Sequence, residues 1–272
     1  SGAPISAMNA LRKQFSKIKG GRLAAAAYPA LVLSLVLSDI PGDDLAQVAS
    51  GPTLPDHRGA AEALAAIDNY RLDLPKRMRD AIATVQAPLP NDPVFKGHRA
   101  RLIGSARLSL EAAAQRARAL GIPAMILSDA IEGEAADIAR MHAAIVREIA
   151  LRDRPFRKPV LLLSGGETTV TLKGNGRGGR NTEFLLALAI ELDGMAGVYG
   201  FAADTDGIDG SESNAGAFVG PDTLVRLQKL GLQPRASLAN NDAFSAFDAL
   251  GELFSPGPTG TNVNDFRALL IV

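Results

Sequence analysis

The stretch LIGSARLSLEAAAQRARALGIPAMIL, Leu102 to Leu127, sets an apolar run, a helical pattern and a second apolar run in succession. Leu102–Gly104 reads as a strand, Ala106–Leu120 as a helix stopped by Gly121 and Pro123, and Ala124–Leu127 as the next strand. The same rhythm extends both ways. Upstream, Leu31–Leu37 reads as a buried strand and Gly59–Tyr70 as a helix. Downstream come helix Glu134–Leu151, strands Val160–Leu163 and Thr168–Leu172, helix Thr182–Leu192, strand Val198–Ala202, helices Asp222–Leu230 and Asp242–Leu250, and a closing strand Ala268–Val272. Pro221 suits a first helical turn and Gly231 a helix stop. Strands alternating with helices predict an α/β fold with mostly parallel pairing. The proline-dense run Ala87-Pro88-Leu89-Pro90-Asn91-Asp92-Pro93 forces extended backbone, which places a domain boundary between residues 1–93 and 94–272.

At 272 residues and 47% hydrophobic content, the chain can bury one or two cores. Its 29 basic and 29 acidic residues leave no surplus to neutralise a nucleic-acid backbone, so no nucleic-acid partner is expected. Leu31–Leu37 falls far short of the ~20 apolar residues that span a bilayer, and no membrane partner is expected either. The lack of cysteine removes disulfides and thiolate ligands and fits a cytoplasmic location. Ser1-Gly2-Ala3-Pro4-Ile5 has no initiator Met and no secretory-signal order, which predicts a start inside a longer protein or after processing. A small molecule is the expected partner.

Ser38-Asp39-Ile40-Pro41-Gly42-Asp43-Asp44 follows the strand Leu31–Leu37, where open α/β sheets bind ligands. Carboxylates there can hold Mg²⁺ or accept a hydroxyl proton; alternatively, Asp43 and Asp44 cap the first turn of a helix through Leu45–Ala49. Ser164-Gly165-Gly166-Glu167-Thr168 follows another strand, and paired glycines can turn backbone amides toward an anion, unless they simply make a tight hairpin. Lys173-Gly174-Asn175-Gly176-Arg177-Gly178-Gly179-Arg180-Asn181-Thr182-Glu183 is a glycine loop opening a helix, with arginines inside it. Close backbone approach, a positive helix start and an arginine fork all favour an anion. The alternative is a surface hairpin with solvated arginines.

Gly174, Gly176 and Gly179 also satisfy the dinucleotide pattern G-x-G-x-x-G, which keeps a reductase in view, although Arg177 and Arg180 are unusual in such a loop. No Lys-Ser or Lys-Thr follows these glycines, so the loop is not a Walker A motif. Asp204-Thr205-Asp206-Gly207-Ile208-Asp209-Gly210 places acids at alternate positions after a strand, suiting a metal, a substrate hydroxyl or a structural turn. Its Asp-x-Asp-Gly start resembles a calcium loop but lacks the Glu at the twelfth position. Pro258-Thr259-Gly260-Thr261-Asn262-Val263-Asn264-Asp265 is a polar loop able to donate hydrogen bonds. His57, His98 and His142 have no ligand spacing and read as structural or exposed.

Lys17-Ile18-Lys19-Gly20-Gly21-Arg22-Leu23, Ser38-Asp39 through Asp43-Asp44, Ala49-Ser50-Gly51-Pro52-Thr53, Ser164-Gly165-Gly166-Glu167, Gly178-Gly179-Arg180-Asn181 and Asp204-Thr205-Asp206-Gly207 occur in the order of the class II glycerate kinase family, which the chain resembles over nearly its whole length. From about Val160 onward it is similar to that family's C-terminal domain, MOFRL. The resemblance implies a two-lobed α/β enzyme: the remainder of a Rossmann-like parallel-sheet domain, then a MOFRL-type α/β domain with a mixed sheet. It implies ATP and Mg²⁺ as cofactors, D-glycerate as substrate and 2-phosphoglycerate as product.

Carried over residue by residue, the resemblance makes Arg180, Asp206, Asp39 and Asp43 catalytic, with Arg180 neutralising the glycerate carboxylate or the transferring phosphate. Gly165, Gly166, Glu167, Gly176, Gly178 and Gly179 become nucleotide-binding, and Asp44 and Asp204 metal ligands. A homodimer is a candidate assembly. Family members run longer at the N-terminus, so the resemblance also implies an absent N-terminal segment carrying a phosphate-contacting lysine. Two other readings stay open: an NAD(P)H-dependent hydroxypyruvate reductase, a label some members carry, and a silent anion- or nucleotide-binding fragment.

Overall fold

The computed structural model describes residues 2–40, 42–56, 59–85 and 87–272. Ser1, Pro41 of the acidic turn and His57 therefore lie outside the described residues. The chain divides into two compact units, Ser1–Ile103 and Gly104–Val272.

The first unit holds α1 (Ile5–Phe15), α2 (Arg22–Ala26), β1 (Leu33–Leu37), α3 (Gly59–Asn69), α4 (Lys76–Thr84) and β2 (Arg99–Gly104). Leu11 of α1, Ala63 and Ile67 of α3 and Ile82 of α4 form its buried cluster, the alanine letting α1 and α3 approach closely. Strand β1 pairs with β2 in a two-stranded sheet. The expectation of a buried strand at Leu31–Leu37 needs correction: Leu33 and Leu35 are 66% and 60% exposed. Successive odd positions of a strand share one face, and no described layer covers the face that carries these leucines.

The second unit contains α5 (Ala106–Ala119), β3 (Ala124–Ser128), β4 (Gly133–Glu134), α6 (Ala135–Arg152), β5 (Val160–Gly166), β6 (Thr168–Thr169), α7 (Arg180–Leu192), β7 (Val198–Asp204), β8 (Gly216–Val219), α8 (Thr223–Lys229), α9 (Pro234–Ala239), α10 (Ala243–Leu250), β9 (Leu253–Phe254) and β10 (Asp265–Ile271). Its main sheet runs β3-β5-β10-β7-β8-β9. Within that sheet, among the described residues, only β3 and β5 pair in parallel; β10 is antiparallel to both β5 and β7, and β7, β8 and β9 pair antiparallel in turn. The α/β class and mixed sheet hold, while the expectation of mostly parallel pairing is corrected. The last strand returns from the chain end to insert between β5 and β7, a partner choice that local pattern does not encode.

Both faces of β5 are covered, which explains its unbroken apolar sequence. Leu162 packs into the cluster formed with α6 and α7, whereas Leu163 packs beneath Leu110, Ala114 and Ala117 of α5. Helix α7 is buried almost all round, with Phe184, Leu185, Leu186 and Leu188 inaccessible. Full burial of each such side chain is worth ~1.5–3 kcal/mol, so α7 is a rigid base for whatever its first turn carries. Ser105 caps α5 by accepting the Leu108 amide at 3.3 Å. The strand expected over Thr168–Leu172 shortens to β6, which pairs with β4. Among the described residues no helix is long and apolar enough to cross a membrane.

Candidate active site

Strand ends and one helix start build an acid-rich corner of the second unit. The ladders set Asp265, the first residue of β10, opposite Gly166 at the end of β5 and opposite Asp204 at the end of β7. Arg180, the first residue of α7, reaches this row. Its Nε donates to Asp265 Oδ1 at 3.0 Å, its Nη1 to Glu167 Oε1 at 2.8 Å, and its Nη2 to Asp204 Oδ2. Burial alone would lower the Arg180 pKa, but Asp265, Glu167 and Asp204 outweigh it and raise it above the ordinary guanidinium value. Burial pushes the Asp204 carboxyl up, opposed by the Asp206 amide and by Arg180.

Asp265 is fully buried and heavily engaged. Its Oδ1 also accepts Asn181 Nδ2 at 2.8 Å, and its Oδ2 accepts Arg267 Nη2 at 2.6 Å, Thr168 Oγ1 at 3.1 Å and the Thr168 amide at 3.2 Å. Arg267, equally buried, lies with its guanidinium carbon 5.2 Å from the centre of the Phe184 ring.

The positive start of α7 is already occupied. Asp209 Oδ1 accepts the Asn181 amide at 2.9 Å, and Oδ2 accepts the Thr182 amide and hydroxyl, each at 2.8 Å. Burial raises the Asp209 pKa and these bonds oppose the rise. The helix end expected to await an outside anion thus holds one of the chain's own carboxylates.

The glycine loop is stitched down in the same way. Asn241 Oδ1 accepts the amides of Lys173 at 2.7 Å and Gly174 at 3.0 Å, Asn240 Oδ1 that of Asn175 at 3.2 Å, and Asp242 Oδ1 that of Arg177 at 3.0 Å. A Cβ on Gly176 would stand 2.4 Å from Asp242 Cβ, and one on Gly179 2.4 Å from Asp209 Oδ1. These glycines admit the protein's own chain. Arg177 lies over the Phe244 ring at 4.4 Å and donates to Glu212 at 3.0 Å. Gly165 and Gly166 also differ from the expected loop: both belong to β5, and a Cβ on Gly166 would meet Ile131 N at 2.2 Å.

Between this corner and the loop lies a cavity of about 690 Å³, within the usual range for small-molecule sites. Its charged lining consists of Arg180 and the carboxylates of Glu183, Asp204 and Asp206. Burial raises the Glu183 pKa, opposed by Asn241 Nδ2, which donates to it at 3.0 Å. Asp206 holds its own turn, accepting the Ile208 amide at 2.7 Å. The Pro258–Asp265 loop supports it from behind, Thr259 N donating to Asp206 O at 3.1 Å and Val263 N to Thr205 Oγ1 at 2.8 Å.

With acid in excess of base, this lining suits an anion that arrives with its own cation, as a Mg²⁺–nucleotide does. Among the described residues no group of three or more His, Cys, Asp or Glu is set to hold a metal ion. Mg²⁺ typically takes one or two protein carboxylates, with phosphate and water completing the set, and Asp204 and Asp206 can provide that number.

Residues 160–265 match the MOFRL family, and residues 1–83 match a domain of unknown function, DUF4147. A D-glycerate 2-kinase of Thermotoga maritima is 40% identical over the whole chain, which spans 64% of that protein. The crystal structure of a glycerate kinase from Thermotoga maritima superposes with a TM-score of 0.89 at 39% identity, covering 100% of this chain and 64% of that one. A protein of Agrobacterium vitis with a provisional hydroxypyruvate reductase name is 48% identical over the whole chain, which spans 70% of it. The chain belongs to the glycerate kinase family.

Of the residues that family resemblance singled out, the second unit gathers Glu167, Gly178, Gly179, Arg180, Asp204 and Asp206 around one corner. Asp39, Asp43 and Asp44 belong to the first unit. Asp39 and Asp44 are exposed, and Asp44 Oδ1 accepts the Ala46 amide at 3.1 Å, giving it a local turn-capping role. Two other glycerate kinase family segments meet there: the amides of Gly20, Gly21 and Leu23 donate to the carbonyls of Ser50, Gly51 and Pro52 at 3.1, 2.8 and 3.1 Å. His142 is buried, its Nδ1 bonded to Ile138 O at 2.8 Å and its Nε2 to Ser164 Oγ at 2.9 Å, and burial drives its pKa down to about 4.

Sequence reasoning quoted Asp209 and Glu183 within their loops without giving either a role of its own, and passed over Asn241 and Arg267. The run Asn240-Asn241-Asp242 was a signal, since such side chains commonly bond nearby backbone amides. So was the charged pair Asp265 and Arg267 at alternate positions of an otherwise apolar strand.

Proposed function

We propose that the full-length protein transfers the γ-phosphoryl group of Mg²⁺–ATP to the 2-hydroxyl of D-glycerate, giving 2-phosphoglycerate. The observation that carries this reading is the whole-chain identity with a D-glycerate 2-kinase, coupled to an arginine held at an acid-lined cavity. ATP supplies the phosphoryl group, and Mg²⁺ neutralises charge on its phosphates.

Within the cavity, Arg180 turns toward the substrate anion a fork fixed beforehand by Asp265, Glu167 and Asp204, so little reorganisation is needed when charge shifts. In this reading Asp206, which lines the cavity, orients the glycerate hydroxyl and takes up its proton. Asp204 is the stronger candidate for metal contact because it lines the cavity beside Arg180 at the end of β7. Asp39 and Asp43 of the first unit remain proposed catalytic residues and Asp44 a proposed metal ligand, with a homodimer as the proposed assembly.

The hydroxypyruvate reductase reading is kept in view by the name of the 48% identical relative. The geometry of the glycine loop speaks against it, because Asp209 fills the helix start and Asp242 the space that a dinucleotide pyrophosphate needs. The deciding experiment on the full-length protein is a coupled ADP-release assay with ATP, Mg²⁺ and D-glycerate, beside hydroxypyruvate with NADH and NADPH. Glycerate-dependent ADP supports the kinase. Pyridine-nucleotide oxidation with no ADP overturns it.

A further inference from the structure

Among the described residues Arg267 is the largest fully buried side chain, and it reaches the cavity lining through Asp265 and Thr168. Its Nε and Nη1 find no hydrogen-bond partner among the described residues. Burial lowers its pKa, only partly offset by Asp265. An arginine so placed costs stability, and apolar replacements of buried ion pairs are often neutral or better. A role beyond packing would account for it.

Asp265 is one negative charge shared by two guanidinium groups, Arg180 on Oδ1 at 3.0 Å and Arg267 on Oδ2 at 2.6 Å. Arg180 also faces Glu167 and Asp204. Arg180 alone would leave this group with carboxylates in excess by two; Arg267 reduces the excess to one. It also draws on the oxygen of Asp265 that Arg180 does not use, so Arg180 keeps both Nη groups toward Glu167, Asp204 and the cavity. We propose that Arg267 is a positioning residue: acting through Asp265 and the Thr168 hydroxyl bonded to it, it sets the direction and the effective positive charge that Arg180 presents to the bound anion. This rests on the kinase reading above.

The experiment is a double-mutant cycle in the full-length protein with Arg267→Met, Arg267→Lys and Arg180→Ala, monitored by ADP release and by the Nε–H signal of Arg180 in arginine-labelled ¹⁵N spectra. Arg267→Met should lower kcat/KM about tenfold, the size of an ordinary pairwise coupling, and move the Arg180 signal. Arg267→Lys, which keeps the charge beside Asp265, should recover most of the loss. In the Arg180→Ala background Arg267→Met should cost nothing further.

An equal loss in both backgrounds, or an unmoved Arg180 signal in a folded variant, overturns the proposal and leaves Arg267 a packing residue. If Arg267→Met fails to fold, Arg267→Gln, which keeps a donor for Asp265 but not the charge, takes its place in the cycle, with the same outcomes supporting or overturning the proposal. If the wild-type protein makes no ADP, the kinase reading fails instead, and the Arg180 signal alone tests the link.

Discussion

Arg180 Nε donates to Asp265 Oδ1 at 3.0 Å across 85 residues of sequence, joining the first residue of a helix to the first residue of the strand that closes the sheet. The contact fixes the guanidinium before any ligand arrives. Truncating Arg180 to Ala should therefore reduce turnover by about 10²–10³-fold, the usual cost of a preorganised charge donor, and should also lower the melting temperature, because buried Asp204 loses its guanidinium partner. Arg180→Lys should rescue little, since an ammonium cannot reproduce a fork that spans three carboxylates. Steady-state kinetics beside circular dichroism melts checks both.

Asp206 lines the cavity, and its amide donates to Asp204 Oδ1 at 3.1 Å. Asp206→Asn keeps the shape of the turn but removes the charge. Turnover should fall by about 10²-fold or more, within the range for loss of a general base, while stability stays within about 0.5 kcal/mol. Near-normal rates would remove Asp206 from the mechanism.

Asp209 is a structural anion for α7. Replacing it with Ala leaves the Asn181 and Thr182 amides unpaired in a buried setting, and should destabilise the protein by about 2 kcal/mol in urea unfolding. Because Arg180 opens the same helix, activity should fall as well.

A methyl group on Gly179 would collide with Asp209 at 2.4 Å, against a rigid part of the chain. Gly179→Ala should cost about 1–3 kcal/mol, as overpacking does, and should displace the helix start that carries Arg180. Gly59→Ala, where φ is not positive and a Cβ meets nothing within 4 Å, is the control for adding a methyl group without a collision.

His142 links stability to acid. Its folded pKa of about 4 lies below the ordinary value of 6.5, so between these values the unfolded chain binds the extra proton. Stability should be unaffected by this group above pH 6.5 and should fall as pH drops toward 4, by roughly 3 kcal/mol in total. Urea titrations of His142→Gln across that interval should show a flatter profile than the wild type, after subtracting the variant's baseline loss.

Helix α5 and strand β3 were legible within a residue of their ends, because a helical period, a glycine stop and a short apolar run are local properties. The glycine loop and its arginines were equally legible as unusual. What the loop does was not, because two of its three signals for an anion, the helix start and the open glycine backbone, are answered from distant parts of the chain. Asp209 supplies the anion at the helix start, and Asn240 to Asp242 fill the space the glycines leave. The exposed leucines of β1 were misread as buried, since an apolar run reports the surroundings it suits and not the partners it has.

Sequence by itself determined the α/β class, most of the elements and, through the order of its motifs, the family. Only the tertiary structure decided that β10 inserts antiparallel between β5 and β7, bringing Asp265 to Arg180 and Arg267 beneath both. The physical reason is range. Helix period, caps and turns are set by neighbours within a few residues, whereas the pairing of ladders and the sharing of one buried carboxylate between two arginines depend on residues far apart in the chain and adjacent only once folded.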